Sequence, residues 1–304
     1  MVVQRNSERT KKVIQRLLQW YKKRTGIFSG TGLPETVLPK GVQPGSDEHI
    51  MFVTMCSAID YGRSADAMWR AGRNTWDDES TRWVFFPELV EQKTLEDLSK
   101  DLQKYRLSGR FSNQDAKTWR TVSLSFLKLF DGDPKNMFKK FDFDALEIRR
   151  YMKKMGPKVF PFLGGGTTTG KINSMWIRIL HDEAKIVFKN YEKIDLPVDR
   201  HVMRATFTTG CLVGEYNGPT DHLKGMAIKA WAEACQNLSL CPLDLDEALF
   251  NLSRFGCSKI TNGKCPFINE CKLSDFCVTA NPQSKLEIDD KHASIDTSYP
   301  SDKI

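Results

Sequence analysis

The chain has 304 residues, of which 40% are hydrophobic and 27% charged, as is typical of a globular protein with a sizeable core. No apolar run approaches the roughly 20 residues that a membrane-spanning helix needs, so no membrane partner is expected. The N-terminus lacks the apolar core of a signal peptide. A cytoplasmic location is therefore predicted, in association with the nucleoid if the source is prokaryotic.

The net charge of +7 is concentrated at the N-terminus. Residues 1–24 hold eight basic residues and one acidic residue, so the rest of the chain balances to zero net charge. Apolar residues recur at helical spacing within this segment, which predicts a basic amphipathic N-terminal helix over residues 1–25. Its charged face has two interpretations, which are contact with nucleic acid phosphates and ordinary solvation.

Helical periodicity dominates the remaining chain, and strand patterns are scarce. Helices are predicted at residues 47–62, 65–73, 94–105, 114–130, 143–155, 223–235 and 244–254. We therefore expect an all-α fold of packed helical bundles, with the helical domain or domains spanning residues 26–277. Residues 278–304 are rich in Ser, Asp and Lys, which predicts a disordered polar tail.

A turn rich in glycine and threonine, residues 163–170, precedes a predicted helix that begins near Lys171. The turn fits the nucleotide-binding P-loop pattern except that Ile172 replaces the Ser or Thr that holds Mg²⁺. No alternation of strands and helices surrounds it, as a P-loop fold requires. A purely structural turn with a solvent-facing lysine is a second interpretation. The third is a helix N-terminus whose N–H groups and positive end favour a phosphate or a developing anion.

A second helix start is predicted at Asp199, because Pro197 disfavours helix before it and aspartate is a preferred capping residue. Capping alone would explain an aspartate at this position. Together with Lys171, however, it would place an amine and a carboxylate at the starts of two helices that could share a cleft. An amine in this setting is a nucleophile when deprotonated, and a carboxylate stabilises a developing cation.

Four of the eight cysteines, Cys257, Cys265, Cys271 and Cys277, lie within 21 residues. In a cytoplasmic chain this grouping favours metal binding over disulfide bonds. Iron–sulfur clusters and zinc both bind thiolates in such groups, and four unrelated thiols are the third alternative. The other four cysteines are scattered, and we interpret them as core residues.

Residues 197–204, Pro-Val-Asp-x-His-Val-x-Arg, resemble the signature of the helix-hairpin-helix DNA glycosylases. Residues 249–257 resemble the helix that leads to the first cluster cysteine in endonuclease III-like members of that superfamily. The run that follows Lys171, and its long separation from Asp199, look closer to the archaeal 8-oxoguanine glycosylases. The resemblance covers roughly residues 48–277. It departs from the pattern at the glycine turn, which replaces the usual hairpin, and in all but the last cysteine interval.

This resemblance implies a two-lobed helical fold and a DNA N-glycosylase with associated lyase activity on abasic sites. Lys171 would attack the sugar and form a Schiff base, and Asp199 would stabilise the sugar cation. The four clustered cysteines would hold a [4Fe–4S] cluster in the loop at residues 257–277, with zinc as the alternative. The partner would be double-stranded DNA, bound by a monomer. Phosphate contacts are expected from Gly165, Gly166, Thr168, Gly170, His201 and Arg204. Contacts with an extruded base are expected from Trp176 and Trp69, with Phe162 as a further candidate.

Two other functions remain open at the level of sequence. The chain could be a nucleic-acid-binding protein that has the fold without the catalysis, or a glycosidase that acts on free nucleosides or nucleotides. The excised base is not identified by the sequence, and oxidised purines, pyrimidine lesions and phage-type modified bases are all candidates.

Overall fold

A computed structural model describes residues 2–109, 112–164 and 170–297. Within these ranges the chain forms twelve α-helices and four β-strands. The helices are α1 (Ser7–Lys22), α2 (Asp47–Ala58), α3 (Ala65–Asp77), α4 (Pro87–Gln92), α5 (Leu95–Lys104), α6 (Ser112–Phe130), α7 (Pro134–Lys140), α8 (Ala145–Met155), α9 (Lys171–Asp182), α10 (Arg200–Thr208), α11 (Thr220–Leu238) and α12 (Asp246–Asn251). The strands are β1 (Val2–Arg5), β2 (Leu212–Pro219), β3 (Lys285–Ile288) and β4 (His292–Thr297). The predicted helical character is confirmed, but the all-α prediction is corrected by the presence of a sheet.

The chain divides into two compact units. Unit 1 comprises the described residues of Met1–Gly32 and Glu192–Ile304, and unit 2 comprises those of Leu33–Tyr191. The N-terminal helix α1 therefore belongs to the same unit as the segment that holds the four clustered cysteines.

Unit 2 is built around α2. This helix is apolar on all sides, and ten of its twelve residues are buried. A helix with this composition is stable only at the centre of a core, because it has no polar face to turn toward water. Helices α3, α6, α7 and α9 pack against it. Phe52 of α2 lies in an aromatic cluster with Trp69, Trp76 and Phe85.

Unit 1 has its own hydrophobic core, formed by α1, α10, α11, α12 and the sheet. The predicted apolar stripe of α1 is confirmed, since Val13, Ile14 and Leu17 are completely buried. Helix α1 packs mainly on α11, and α10 packs on α12. Helices α11 and α12, which precede the cysteine loop, are thus fixed by packing.

The sheet of unit 1 has the strand order β1-β2-β4-β3, and all neighbouring strands are antiparallel. Strands β3 and β4 lie within residues 278–297, so the predicted disordered tail is wrong over this part. The tail forms strands because apolar residues alternate with polar ones in it, and Ile288, Ala293 and Ile295 pack into the core of unit 1. Residues 298–304 lie outside the described part of the chain.

Candidate catalytic residues in two helical units

Helix α9 begins at Lys171, as predicted. Its N-cap is Gly170, whose backbone is left-handed, with φ of +62°. Glycine is favoured there because other residues rarely adopt this conformation and because a Cβ would lie 3.0 Å from Nη2 of Arg149. Gly164 is equally constrained, since a Cβ there would lie 2.7 Å from the carbonyl oxygen of Met152. The two glycines on either side of residues 165–169 are therefore required by the backbone.

The phosphate contacts predicted for Gly165, Gly166 and Thr168 fall outside the described residues. Gly170 is described, and its local structure explains why Lys171 is the first residue of the helix. Lys171 belongs to unit 2, whereas Asp199 belongs to unit 1.

Asp60 is the buried acid of unit 2 that carries a charge interaction with Lys171. It follows α2 directly and is 8% exposed, and its Oδ2 accepts a hydrogen bond of 3.2 Å from Nε1 of Trp69. Burial raises the pKa of the Asp60 carboxyl group, and the charge of Lys171 is the largest effect opposing this rise. Asp60 is not among the residues predicted from the sequence. The available signal was a single acid placed directly after an otherwise apolar helix.

The two tryptophans predicted to contact an extruded base are core residues. Trp69 and Trp176 are both completely buried. Nε1 of Trp176 donates a hydrogen bond of 3.0 Å to Oγ1 of Thr54, which joins α9 to α2. Because neither indole has an exposed face, the prediction of a stacking role is corrected for both.

An aromatic pair lies close in sequence to the start of α9. The rings of Tyr61 and Phe162 stack with centroids 4.0 Å apart, and both residues are only half-buried. Phe162 has a φ of +63°, which is unusual for a bulky side chain and is seen most often where function requires it. Phe162 is therefore a better candidate for contact with an aromatic ligand than either tryptophan.

Unit 2 also contains a pocket of about 380 Å³ that is lined by Arg63, Arg70 and Arg106 together with uncharged residues. The polar side chains of Ser64 and Asn74 also line this pocket. Among the described lining residues there is no carboxylate. Arg63 is paired with Asp115, so Arg70 and Arg106 are the cations that suit the pocket to an anion such as a phosphate group.

In unit 1, Asp199 is the N-cap of α10, as predicted. Its Oδ1 accepts hydrogen bonds of 2.8 Å from the backbone N–H groups of both His201 and Val202. Within the described residues, no hydrogen bond or ion pair reaches its other oxygen, Oδ2. The cap thus fixes the orientation of the carboxylate and leaves one oxygen to interact with a ligand.

His201 and Arg204 are joined through Ser253. The Ser253 hydroxyl group lies 3.4 Å from Nδ1 of His201 and accepts a hydrogen bond of 3.4 Å from Nη1 of Arg204. Burial lowers the pKa of His201, which favours the neutral imidazole, and it also lowers the pKa of Arg204. The charge of Cys257 opposes the effect on Arg204, so this network reaches from α10 to the first clustered cysteine.

The four clustered cysteines line one small cavity of unit 1, with a volume of about 20 Å³. The other lining residues are mostly apolar, with Thr208 and Thr209 from α10 and its end. Burial raises the pKa of the Cys271 thiol to about 11. The pKa of Cys257 is raised well above its ordinary value by burial and by the charges of the other three cysteines.

A π-helical turn at residues 252–256 delivers Cys257 to this cavity. Such turns are rare and occur frequently at functional sites. A Cβ at Gly256 would lie 2.9 Å from Cδ1 of Ile27, so Ile27 packs closely on the backbone directly before the cysteine. The described residues contain no group of three or more His, Cys, Asp or Glu side chains with the geometry of ligands to a metal ion.

Basic residues of α1 hold the cysteine segment in place. Arg9 donates hydrogen bonds to the carbonyl oxygens of Thr209, at 2.9 Å, and Phe276, at 2.7 Å. Arg16 forms an ion pair of 2.9 Å with Asp275. Part of the N-terminal positive charge therefore serves the internal structure of unit 1, which neither interpretation of the sequence included.

Neither a scan against protein-family models nor a search of curated proteins found a match to this chain. Among the helices of the described residues, none has both the length and the apolar character needed to cross a membrane.

Proposed function

We propose that this protein is a DNA N-glycosylase of the helix-hairpin-helix type with associated lyase activity on abasic sites. The observation that carries the proposal is that Lys171 is the first residue of α9 and Asp199 caps α10. An amine and a carboxylate at the N-termini of two helices are the groups that this chemistry requires. We infer the reaction from the sequence resemblance, and the local structure of Lys171 and of Asp199 supports this inference.

In the proposed reaction the neutral amine of Lys171 attacks the anomeric carbon of the nucleotide. A bond forms between Nζ and this carbon, the glycosidic bond breaks, and the base leaves with the bonding electron pair and takes up a proton. Opening of the sugar gives a Schiff base. Loss of a proton from C2′ then breaks the C3′–O bond and nicks the strand. Asp199 stabilises the positive charge that develops on the sugar, through the oxygen that is not used in capping.

The base must leave the duplex before the amine can reach the sugar, since the glycosidic bond is otherwise shielded. We propose that Phe162 stacks on the extruded base, because this residue is only half-buried and its ring already stacks on that of Tyr61. The arginine-lined pocket of unit 2 and the Arg204 network of unit 1 are the proposed contacts with backbone phosphates. A monomer bound to double-stranded DNA accounts for these roles.

We further propose that Cys257, Cys265, Cys271 and Cys277 hold a [4Fe–4S] cluster, with zinc as the alternative. Four cysteines facing one apolar cavity fit such a group, because a bound cation would stabilise thiolates that burial otherwise disfavours. When bound, the group is structural. It orders the segment that exposes Lys259, Lys264 and Lys272, which can contact phosphates.

A non-catalytic nucleic-acid-binding protein is the second candidate, because capping alone accounts for Asp199. The test is release of free base from a panel of duplexes that contain oxidised purines or pyrimidine lesions. The wild type is expected to release one of these bases, and Lys171→Gln is not, whereas Lys158→Gln, which alters an exposed lysine of the same unit, should be active. Duplex binding without base release from any lesion would favour the second candidate. Activity on free nucleosides that is insensitive to salt would favour a small-molecule glycosidase.

A further inference from the structure

We propose that Asp60 is the positioning residue for Lys171, attracting the ammonium group at the start of α9 through its charge and receiving its proton when the amine reacts. The inference rests on the proposed function, in which Lys171 is the nucleophile. It concerns unit 2 alone, and no motif in the sequence assigns this role to Asp60.

The packing of α2 on α9 places Asp60 and Lys171 at the same end of this helix pair. Gly45 lies two residues before α2 and Ala184 two residues after α9, and a Cβ on this glycine would lie 3.0 Å from the Ala184 carbonyl oxygen. In the middle of both helices, Trp176 donates its hydrogen bond to Thr54. The start of α2 therefore lies beside the end of α9, and the two helices run antiparallel.

This arrangement sets the register at the other end of the pair. Asp60 lies six residues beyond Thr54, and Lys171 lies five residues before Trp176. At a rise of 1.5 Å per helical residue, the end of α2 at Ala58 lies about 6 Å beyond Thr54, and Lys171 lies about 7.5 Å before Trp176. Asp60, two residues beyond the end of α2, therefore lies at the same end of the helix pair as Lys171, which agrees with the charge interaction between them.

The other charged groups near Asp60 are already committed. Arg63 forms an ion pair of 2.7 Å with Asp115, and Glu35 is paired with Arg178. Within the described residues, Lys171 and Oδ1 of Asp60 form no hydrogen bond or ion pair, either with each other or with a third group, so the two residues interact through their charges alone. Among the charged groups that act on Asp60, Lys171 is the one that no described ion pair commits elsewhere.

Two features oppose an ammonium group at this position, and Asp60 balances them. The first is the partial positive charge at the N-terminus of α9, and the second is the guanidinium group of Arg149 beside Gly170. When substrate arrives, a proton moves from Nζ of Lys171 to the Asp60 carboxylate, and the nitrogen lone pair attacks the sugar. Burial raises the pKa of Asp60, which makes its carboxylate a better proton acceptor than an exposed aspartate.

The test uses Asp60→Asn, which removes the charge and can still accept the hydrogen bond from Trp69. The matched control is Asp101→Asn, because Asp101 also accepts a tryptophan hydrogen bond, of 2.8 Å from Trp83. The first readout is acylation of Lys171 in the protein without DNA, followed by mass spectrometry across a range of pH. In Asp60→Asn the midpoint of Lys171 labelling should move about one unit to lower pH, because a neighbouring negative charge is lost.

The second readout is the rate of borohydride trapping on a duplex that contains an abasic site. In Asp60→Asn the maximal rate should fall about 100-fold, as expected when a proton acceptor is removed, and the acid limb should move to lower pH. Asp101→Asn should change neither the labelling midpoint nor the acid limb. Asp60→Ser serves as a second variant, so that either folded protein decides the question.

An unchanged labelling midpoint in a folded Asp60 variant would overturn the proposal. If the labelling midpoint shifts in Asp60→Asn but the wild type traps no abasic site, the pairing of Asp60 with Lys171 is supported. The same result rejects the glycosylase/lyase function. The two failures are therefore distinguishable.

Discussion

Arg178 and Glu35 form an ion pair in which both side chains are almost completely buried, with 4% and 5% of their surfaces exposed. Arg178 lies seven residues after Lys171 on α9, which is about two helical turns and thus the same face of the helix. Glu35 lies in the short helical turn at Pro34–Thr36, before α2. The pair ties this connecting segment to the helix that begins with the candidate nucleophile.

Replacing one partner of this pair should strongly destabilise the protein. Arg178→Met leaves the Glu35 carboxylate buried without its cation and should lower the free energy of unfolding by about 3–5 kcal/mol. The double variant Arg178→Met/Glu35→Leu should lose less than the sum of the single variants. Urea denaturation measures all three, and strict additivity would show that the two charges do not depend on each other.

Substitutions of Asp199 should separate its capping role from its chemical role. Asp199→Ala removes the cap and should cost about 1 kcal/mol of stability, whereas Asp199→Asn can still accept both backbone hydrogen bonds. Asp199→Asn should therefore retain stability while base release falls by about 100-fold or more. Full activity in Asp199→Asn would mean that the aspartate is only a cap.

The four clustered cysteines should bind one metal group together. Replacing Cys265 by serine should abolish stoichiometric iron and the visible absorption of anaerobically purified protein, and should lower its thermal stability. Cys241→Ser is the matched control, because this half-buried cysteine lies outside the cluster cavity. Elemental analysis distinguishes iron from zinc, and metal content that is unaffected by Cys265→Ser would contradict the assignment.

The stability of unit 2 should depend on pH through His49. This side chain is completely buried, its Nδ1 accepts a hydrogen bond of 3.0 Å from the Gly45 N–H, and burial lowers its pKa from 6.5 to about 4. Between these values the unfolded chain binds a proton that the folded imidazole does not. The free energy of unfolding should therefore fall as the pH decreases from 6.5 toward 4.

His49→Asn should flatten this part of the stability profile, because asparagine can accept the same hydrogen bond without titrating. His222→Asn, at an exposed histidine of unit 1, should leave the profile as it is. Chemical denaturation at several pH values measures both variants. An equally steep decrease in His49→Asn would assign the dependence to other groups.

The elements with strong local signals could be predicted from sequence. The apolar stripe of α1, the start of α9 at Lys171 and the cap at Asp199 depend on neighbouring residues, so they can be inferred from short segments. The grouping of the four cysteines was equally visible, and the structure brings them to one cavity.

Features that depend on distant partners were missed. Strand β4 has polar residues on one face, so its sequence alone resembles a disordered tail. It becomes a strand only by pairing with β2, which lies far earlier in the chain. Trp69 and Trp176 are completely buried, but the residues next to them in the sequence do not indicate this. Asp60 is a single acid, and its relation to Lys171 arises only from the packing of α2 on α9.

The central claim is that Lys171 is a nucleophile that forms a covalent intermediate with DNA. The most direct measurement is borohydride trapping on a duplex with a ready-made abasic site, since it does not require the identity of the excised base. We predict a covalent adduct with the wild type and with Lys158→Gln, and none with Lys171→Gln. No adduct from folded, metal-loaded wild-type protein, or an adduct that persists in Lys171→Gln, would contradict the account.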